Sequence, residues 1–260
     1  MSNAASAARS AFGEHLPSFL LAALVIAAWQ GAAASGLING HLLGSPAGIV
    51  ISAGEGLRSG DLISNTAITL YETLAGLAIG SLAGTTSGLL LWFVPRISRP
   101  AEGFSILLNG VPKIALGPLI VIWFGSGVSS KIWLAAISTY AVAMISATAA
   151  VRELDRDLLN LFRTLGARRG AVLRKLILPS ALPWIFSALR MNIGFALIGA
   201  VVGEYIASQN GLGHEIFVAG SLFDLNTVWL GIIVLTMMAM LLTTFVRLVE
   251  ERLIRWKSES

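Results

Sequence analysis

Apolar residues run in long blocks along this chain, separated by short polar connections, and the length of the blocks sets the first expectation. A helix needs about 20 mostly apolar residues to cross the hydrocarbon core of a bilayer. About six stretches qualify: 16–36, 66–94, 103–124, 131–151, 184–207 and 227–248. The pattern predicts an all-α, polytopic membrane protein built as one transmembrane domain over 1–260. Of the connections, 42–65 and 209–226 are moderately polar, and the second has no Lys or Arg. The segment 152–183 is amphipathic and too charged to span, so it is expected to form short helices at the membrane face.

Composition supports the membrane class. Of 260 residues, 55% are hydrophobic and 12% charged, whereas a soluble domain carries about 25% charged residues. The 27 glycines and a mean hydropathy of +0.79 fit membrane helices, in which neighbouring helices pack against glycine. No cysteine is present, which excludes disulfides and Cys-based metal or nucleophile sites.

A formal charge of +4 raises the question of nucleic acid, and the placement of the charges answers against it. Arg9 and the small residues of GAAASG around the first apolar block resemble a signal peptide. An uncut first span, however, puts both termini on one side with Arg96, Arg99, the segment from Arg152 to Lys175, and Arg247, Arg252, Arg255 and Lys257. The other side keeps little more than Arg58 and Lys131. The positive-inside rule then predicts cytoplasmic termini.

Several residues stand out against this background. Gly76, Gly80, Gly84 and Gly88 repeat at four-residue spacing and lay bare backbone along one helix face, a surface for close helix packing. Glu72 lies on that same face. A carboxylate deep in a membrane helix needs a partner or a wet cavity, and Lys113 and Glu204 are the expected company. Glu72, Lys113 and Glu204 are thus candidates for the lining or gate of a pathway, with a structural ion pair as the alternative. Pro112 and Pro118 are expected to kink or break the third span. Asn192, Ala196, Ala200 and Glu204 form a small and polar stripe at helical spacing, turned to the bundle or to a second copy.

The inner segment reads LLNLFRTLGARRGAVLRKLILPSALP from Leu158 to Pro183. It resembles the cytoplasmic signature loop of importer-type ABC transporter permeases, in which Glu-Ala-Ala, a glycine and an Ile-x-Leu-Pro element stand at fixed spacing. Gly166 and the run Leu176, Ile177, Leu178, Pro179 match that spacing. Asn160, Leu161 and Phe162 replace the opening triplet. SPAGIV, TLYETLAGLAIG, VPKIALGPLIVIWFG with SSKIW, and VVGEYIASQNGLG extend the likeness to permeases of the nitrate, sulfonate and taurine group.

The resemblance implies a type I ABC importer permease fold in a bacterial inner membrane, working as a homodimer in which one permease chain pairs with itself. It also implies two ATPase subunits and an extracytoplasmic solute-binding protein. Cargo in the group ranges over sulfonates, nitrate, taurine and pyrimidine or other vitamin precursors. Asn160, Leu161, Phe162, Leu165, Gly166, Ala167, Arg168, Leu178 and Pro179 would form the ATPase-coupling loop. A short helix bearing Leu161, Phe162 and Leu165, closed by Gly166 as C-cap, would offer an apolar knob rimmed by Arg163, Arg168 and Arg169. The chain has no GxxxxGK[ST] run, so it carries no cofactor of its own and a partner subunit must bind ATP. An ion-gradient transporter using Glu72, Lys113 and Glu204 leaves the inner loop without a role. An intramembrane enzyme lacks its motifs: His15, His41 and His214 form no HExxH pair, and no metal site is expected.

Overall fold

The computed structural model describes residues 2–38 and 40–254, and its regular elements are all helical. In chain order they are α1 (Ser2–Ala34), α2 (Gly40–Leu43), α3 (Pro46–Ser59), α4 (Asp61–Leu90), α5 (Pro95–Gly110), α6 (Lys113–Phe124), α7 (Val128–Arg152), α8 (Arg156–Thr164), α9 (Arg169–Val172), α10 (Leu178–Ala207), α11 (Leu212–Ser221) and α12 (Leu225–Leu253). Arg255 and Lys257 lie outside the described residues, as do the side chains of Arg9, His15, His41 and Arg99.

Among the described residues, four helices are long and apolar enough to cross a membrane: those containing α4, α7, α10 and α12. The bent pair Arg96–Gly110 and Lys113–Phe124, whose axes meet at 95°, makes a fifth if its two helices are counted as one span. The sequence pattern suggested about six spans. The sixth stretch, 16–36, falls on α1, where Phe19–Ala34 is an apolar helix shorter than the other spans among the residues whose side chains are described. The third span does break, and it does so at Val111 and Pro112, between α5 and α6. Pro112 is the residue before α6, so its missing N–H deprives no helical bond. Pro118 is accommodated inside α6.

The chain divides into two compact units, Met1–Leu62 with Ile216–Ile232, and Ile63–Glu215 with Ile233–Ser260. In the first, Ser45 caps α3 by accepting a hydrogen bond from the Gly48 amide at 3.0 Å, and Pro46 opens the helix. This is the cap-then-proline start expected of a helix N-terminus. The Ser45 amide donates to Asn226 Oδ1 at 2.9 Å. Trp229 donates to the Leu43 carbonyl and meets Trp29 edge-on, with ring centroids 5.5 Å apart.

The second unit is organised around α7. Ala135, Thr139 and Ala147 are fully buried there, because glycine-lined helices close on α7 from two sides. A methyl added to Gly76 of α4 would strike Ala135, at Gly80 Thr139 and the Ala136 carbonyl, at Gly84 Ala143 and the Tyr140 carbonyl, and at Gly88 Ala147 and the Met144 carbonyl. On α10, Gly199 rests on the Ala135 backbone and Gly203 on Lys131. Asn192, Ala196, Ala200 and Glu204 of α10 are fully buried within the single chain. Asn192 donates to Ser81 Oγ at 3.0 Å and to the Thr139 carbonyl at 3.1 Å. Arg190 of α10 pairs with Glu250 of α12, and Arg152 pairs with Glu102.

A smaller core closes one end of this unit. Leu89, Ala147, Ala150, Val172, Leu176, Ile177 and Ala181 pack together there, with Leu159 and Phe162 of α8 laid against them. Leu173–Ile177 winds as a π-helical turn that leads directly into α10. Such turns are rare and mark irregular helix joints.

Candidate functional site

Two places in the second unit combine unusual chemistry with position. The first is a cleft of about 540 Å³ at the meeting of α4, the N-terminal end of α7 and the C-terminal end of α10, lined by Ile68, Glu72, Lys131, Ser208, Gln209 and Asn210 among others. Its volume lies in the range of small-molecule sites. The polar residues beneath it are deeply buried: Glu72 and Lys131 are each 1% exposed, and Glu204 is 0% exposed.

Glu204 fastens the turn that follows α10. Its Oε1 accepts from the Thr69 hydroxyl and its Oε2 from the Gly213 amide, both at 2.6 Å. The Thr69 hydroxyl in turn accepts from the Leu212 amide at 2.9 Å. The opening N–H groups of α11, which have no partner within the helix, are thus satisfied by side chains of α4 and α10. Asn65 completes the clamp, accepting from the Gly211 amide and donating to Glu215, both at 2.9 Å. Gly211 sits at φ +102° and a methyl there would strike the Glu204 carboxyl, so both backbone and space demand glycine.

The Glu72 carboxyl meets that of Glu204. One oxygen of Glu72, Oε2, is buried and has no hydrogen-bond partner among the described residues. The cation facing both carboxyls is Lys131. Its ammonium donates to the carbonyls of Ser126, Gly127 at 3.0 Å and Ala207 at 2.5 Å. Ala207 ends α10, so the ammonium sits where a helix presents free carbonyls and partial negative charge.

The structure therefore brings Glu72 and Glu204 together but leaves Lys113 out. Lys113 Nζ donates to the Asn109 carbonyl at 2.8 Å and to Asn109 Oδ1 at 3.3 Å, and lies 5.3 Å from the centre of the Phe195 ring. The pairing of Lys113 with either carboxylate is corrected by this geometry. Lys113 follows Asn109 by four positions, and a long side chain at the start of α6 reaches back to the last turn of α5 across the break. Lys113 is a staple on the elbow. The sequence reading placed Lys131 among the outer charges; its signal was that it stands almost alone as a cation on that side, one turn into an apolar helix. Among the described residues no three His, Cys, Asp or Glu side chains come together as a metal site would require.

The second place is the loop 152–183. Asp155 caps α8, accepting from the Asp157 amide at 2.8 Å. At the other end the Gly166 amide donates to the Arg163 carbonyl and the Ala167 amide to the Phe162 carbonyl, each at 3.0 Å. With Gly166 at φ +72°, this is a Schellman termination, which a residue without Cβ adopts at least cost. Leu161 and Leu165 are exposed, at 52% and 74%, and Leu158 stands with them at 44%. Phe162 departs from the expected knob, since it packs on the chain's own core beside Leu159. Asn160, Arg163, Arg168 and Leu178 are exposed, while Ala167 and Pro179 are half-buried.

Residues 76–256 match the family model described as binding-protein-dependent transport system inner membrane component. The riboflavin transport system permease protein RibX of Chloroflexus aurantiacus is 31% identical, over 94% of this chain and 90% of its own length. The taurine transport system permease protein TauC of Escherichia coli K12 is 31% identical, over 91% of this chain and 88% of its own. Among solved structures, the MetNI methionine ABC transporter in an inward facing conformation aligns with a TM-score of 0.61 at 20% identity, over 72% of this chain and 95% of that chain. An amino acid ABC transporter with histidines aligns with a TM-score of 0.59 at 20% identity, over 77% and 97%. The fold is thus that of type I ABC importer permeases, and the chain is a multi-pass membrane protein. It belongs to the family of binding-protein-dependent transport system inner membrane components.

Proposed function

We propose that this chain is the solute-conducting subunit of an ATP-driven importer, moved by a cytoplasmic ATPase that docks on α8. The observation that carries the reading is the exposed row of Leu158 and Leu161 on a nine-residue helix and Leu165 at its C-cap. Apolar side chains on an otherwise charged, membrane-peripheral helix favour a protein partner, and the exposed Arg163, Arg168 and Arg169 surround them with positive charge. Leu178 and Pro179 stand at the start of α10, so a displacement of the loop passes directly into a helix that lines the cleft. The glycine faces of α4 and α10 against α7 permit such a displacement with little interlocking of side chains.

In this reading the chain pairs with a second copy of itself, two ATPase subunits bind on the side of α8, and a solute-binding protein delivers the cargo from the opposite side. Both termini and the loop 152–183 are cytoplasmic. The breadth of names among the relatives, riboflavin for one and taurine for another, supports a small organic solute and leaves its identity to chemistry in the cleft. The double variant Leu161→Glu, Leu165→Glu tests the docking. It is expected to abolish copurification of a nucleotide-hydrolysing subunit and to lower ATP-dependent uptake by at least tenfold, with an unchanged melting profile of the chain. Undiminished ATP-dependent uptake by this variant overturns the proposal.

A further inference from the structure

The cleft between α4, α7 and α10 holds a hydrogen-bonding imbalance that bears on what it accepts. An ammonium has three donors and no acceptor, and Lys131 directs its own to three backbone carbonyls, of Ser126, Gly127 and Ala207. No N–H of the single buried cation lining this cleft is left for an incoming anion. Both oxygens of Glu204 are engaged, by Thr69 and Gly213. Glu72, in contrast, lines the cleft while 1% exposed, and its Oε2 accepts no hydrogen bond from any described residue. The buried free capacity of the site is therefore an acceptor on a carboxyl group.

Building on the reading that this chain conducts a solute, we infer that the cleft takes a small organic solute through amine, amidinium or ring-amino N–H groups donated to Glu72, and disfavours solutes that present only an anionic head. A sulfonate or nitrate entering here meets a carboxyl oxygen and an ammonium with no donor to offer. An amidinium or amino group meets an acceptor in a buried setting, where an unpartnered polar atom is costly and a charge-assisted bond is strong. The amide side chains of Gln209 and Asn210 at the rim both donate and accept, so they suit a polar guest of either kind and leave the discrimination to Glu72.

The test is binding of two shape-matched probes, benzamidinium and benzenesulfonate, to the purified full-length chain in nanodiscs of zwitterionic lipid. Saturation-transfer NMR reads the binding, with empty nanodiscs as the blank. Benzamidinium is expected to bind at least tenfold more tightly than benzenesulfonate, and Glu72→Gln to weaken benzamidinium about tenfold while leaving benzenesulfonate unchanged. Equal or tighter binding of benzenesulfonate overturns the inference, as does absence of binding by either probe, or benzamidinium affinity unaltered in a folded Glu72→Gln chain. Should that variant fail to fold, the comparison of probes on the unsubstituted chain still decides. The assay contains neither ATP nor ATPase. A negative result therefore leaves α8 docking intact, and a failure of docking in the Leu161→Glu, Leu165→Glu chain leaves this result untouched.

Discussion

Replacing Gly80 by alanine adds one methyl group at the place where α4 lies flat on α7. That methyl would fall 2.9 Å from the Ala136 carbonyl carbon, and nearer still to its oxygen and to the Thr139 hydroxyl, against an optimum of about 3.5–4.0 Å between carbon atoms. The 2.2 Å approach to the Ala136 oxygen requires the helices to part locally by about 1 Å or more, a gap that forfeits about half of each contact's attraction. Overpacking of this kind costs about 1–3 kcal/mol, offset by about 0.5–1 kcal/mol from the better helix propensity of alanine. The net loss of up to about 2.5 kcal/mol lowers the melting temperature by up to about 10 °C at roughly 2–4 °C per kcal/mol. Tryptophan fluorescence of the purified chain, which has seven tryptophans, reads the transition. Gly31→Ala and Gly103→Ala supply the controls, because nothing lies within 4 Å of a methyl at either position; they gain the propensity without the clash and should melt at or above the parent temperature. If Gly80→Ala melts with or above these controls, the close approach of α4 to α7 is refuted. Gly80→Ala combined with Gly84→Ala should cost less than the sum, since the first methyl already separates the helices.

Three further outcomes follow from the site. Glu204→Ala removes the acceptors of the Thr69 hydroxyl and the Gly213 amide; a loss of about 2–4 kcal/mol is expected, with faster hydrogen exchange at Gly213 and neighbouring Leu212. Gly166→Val forces a β-branched residue to φ +72°, costing about 1–2 kcal/mol, and exchange or limited proteolysis across 163–168 should accelerate while the membrane helices keep their protection. Lys113→Met frees the Asn109 carbonyl; spin labels at Ile106 and Leu119, introduced into a chain with no cysteine of its own, should report a broader distance distribution across the α5–α6 elbow than in the parent.

The glycine repeat of α4 was legible because four residues at i, i+4 spacing advertise a flat face without reference to anything else. The partner was not legible. α7 answers with Ala135, Thr139, Ala143 and Ala147, a scatter of small residues whose meaning depends on two neighbours far away in sequence. The break near Pro112 was readable from local stereochemistry, whereas the direction in which Lys113 reaches depends on the 95° bend that follows the break. For α8, the sequence carries two apolar rows, Leu159 with Phe162 and Leu158 with Leu161 and Leu165, and periodicity alone does not say which row meets the chain's own core. Packing chose the first. Lys131 escaped notice because a cation near the end of an apolar span usually reaches water; here Gly203 and the Ala207 carbonyl hold it inside.

Ala135 is touched from both flanks, by Gly76 on one helix and by Gly199 on another. Its methyl meets Gly76 and its backbone meets Gly199, and as both neighbours already lack a side chain, no enlargement there can be absorbed by trimming either. The joint behaves as a plain bearing, smooth on either side of a central shaft. Its tolerance is set by the thickness of the peptide backbone itself, and adaptation to new cargo must therefore take place elsewhere, at the ends of these helices.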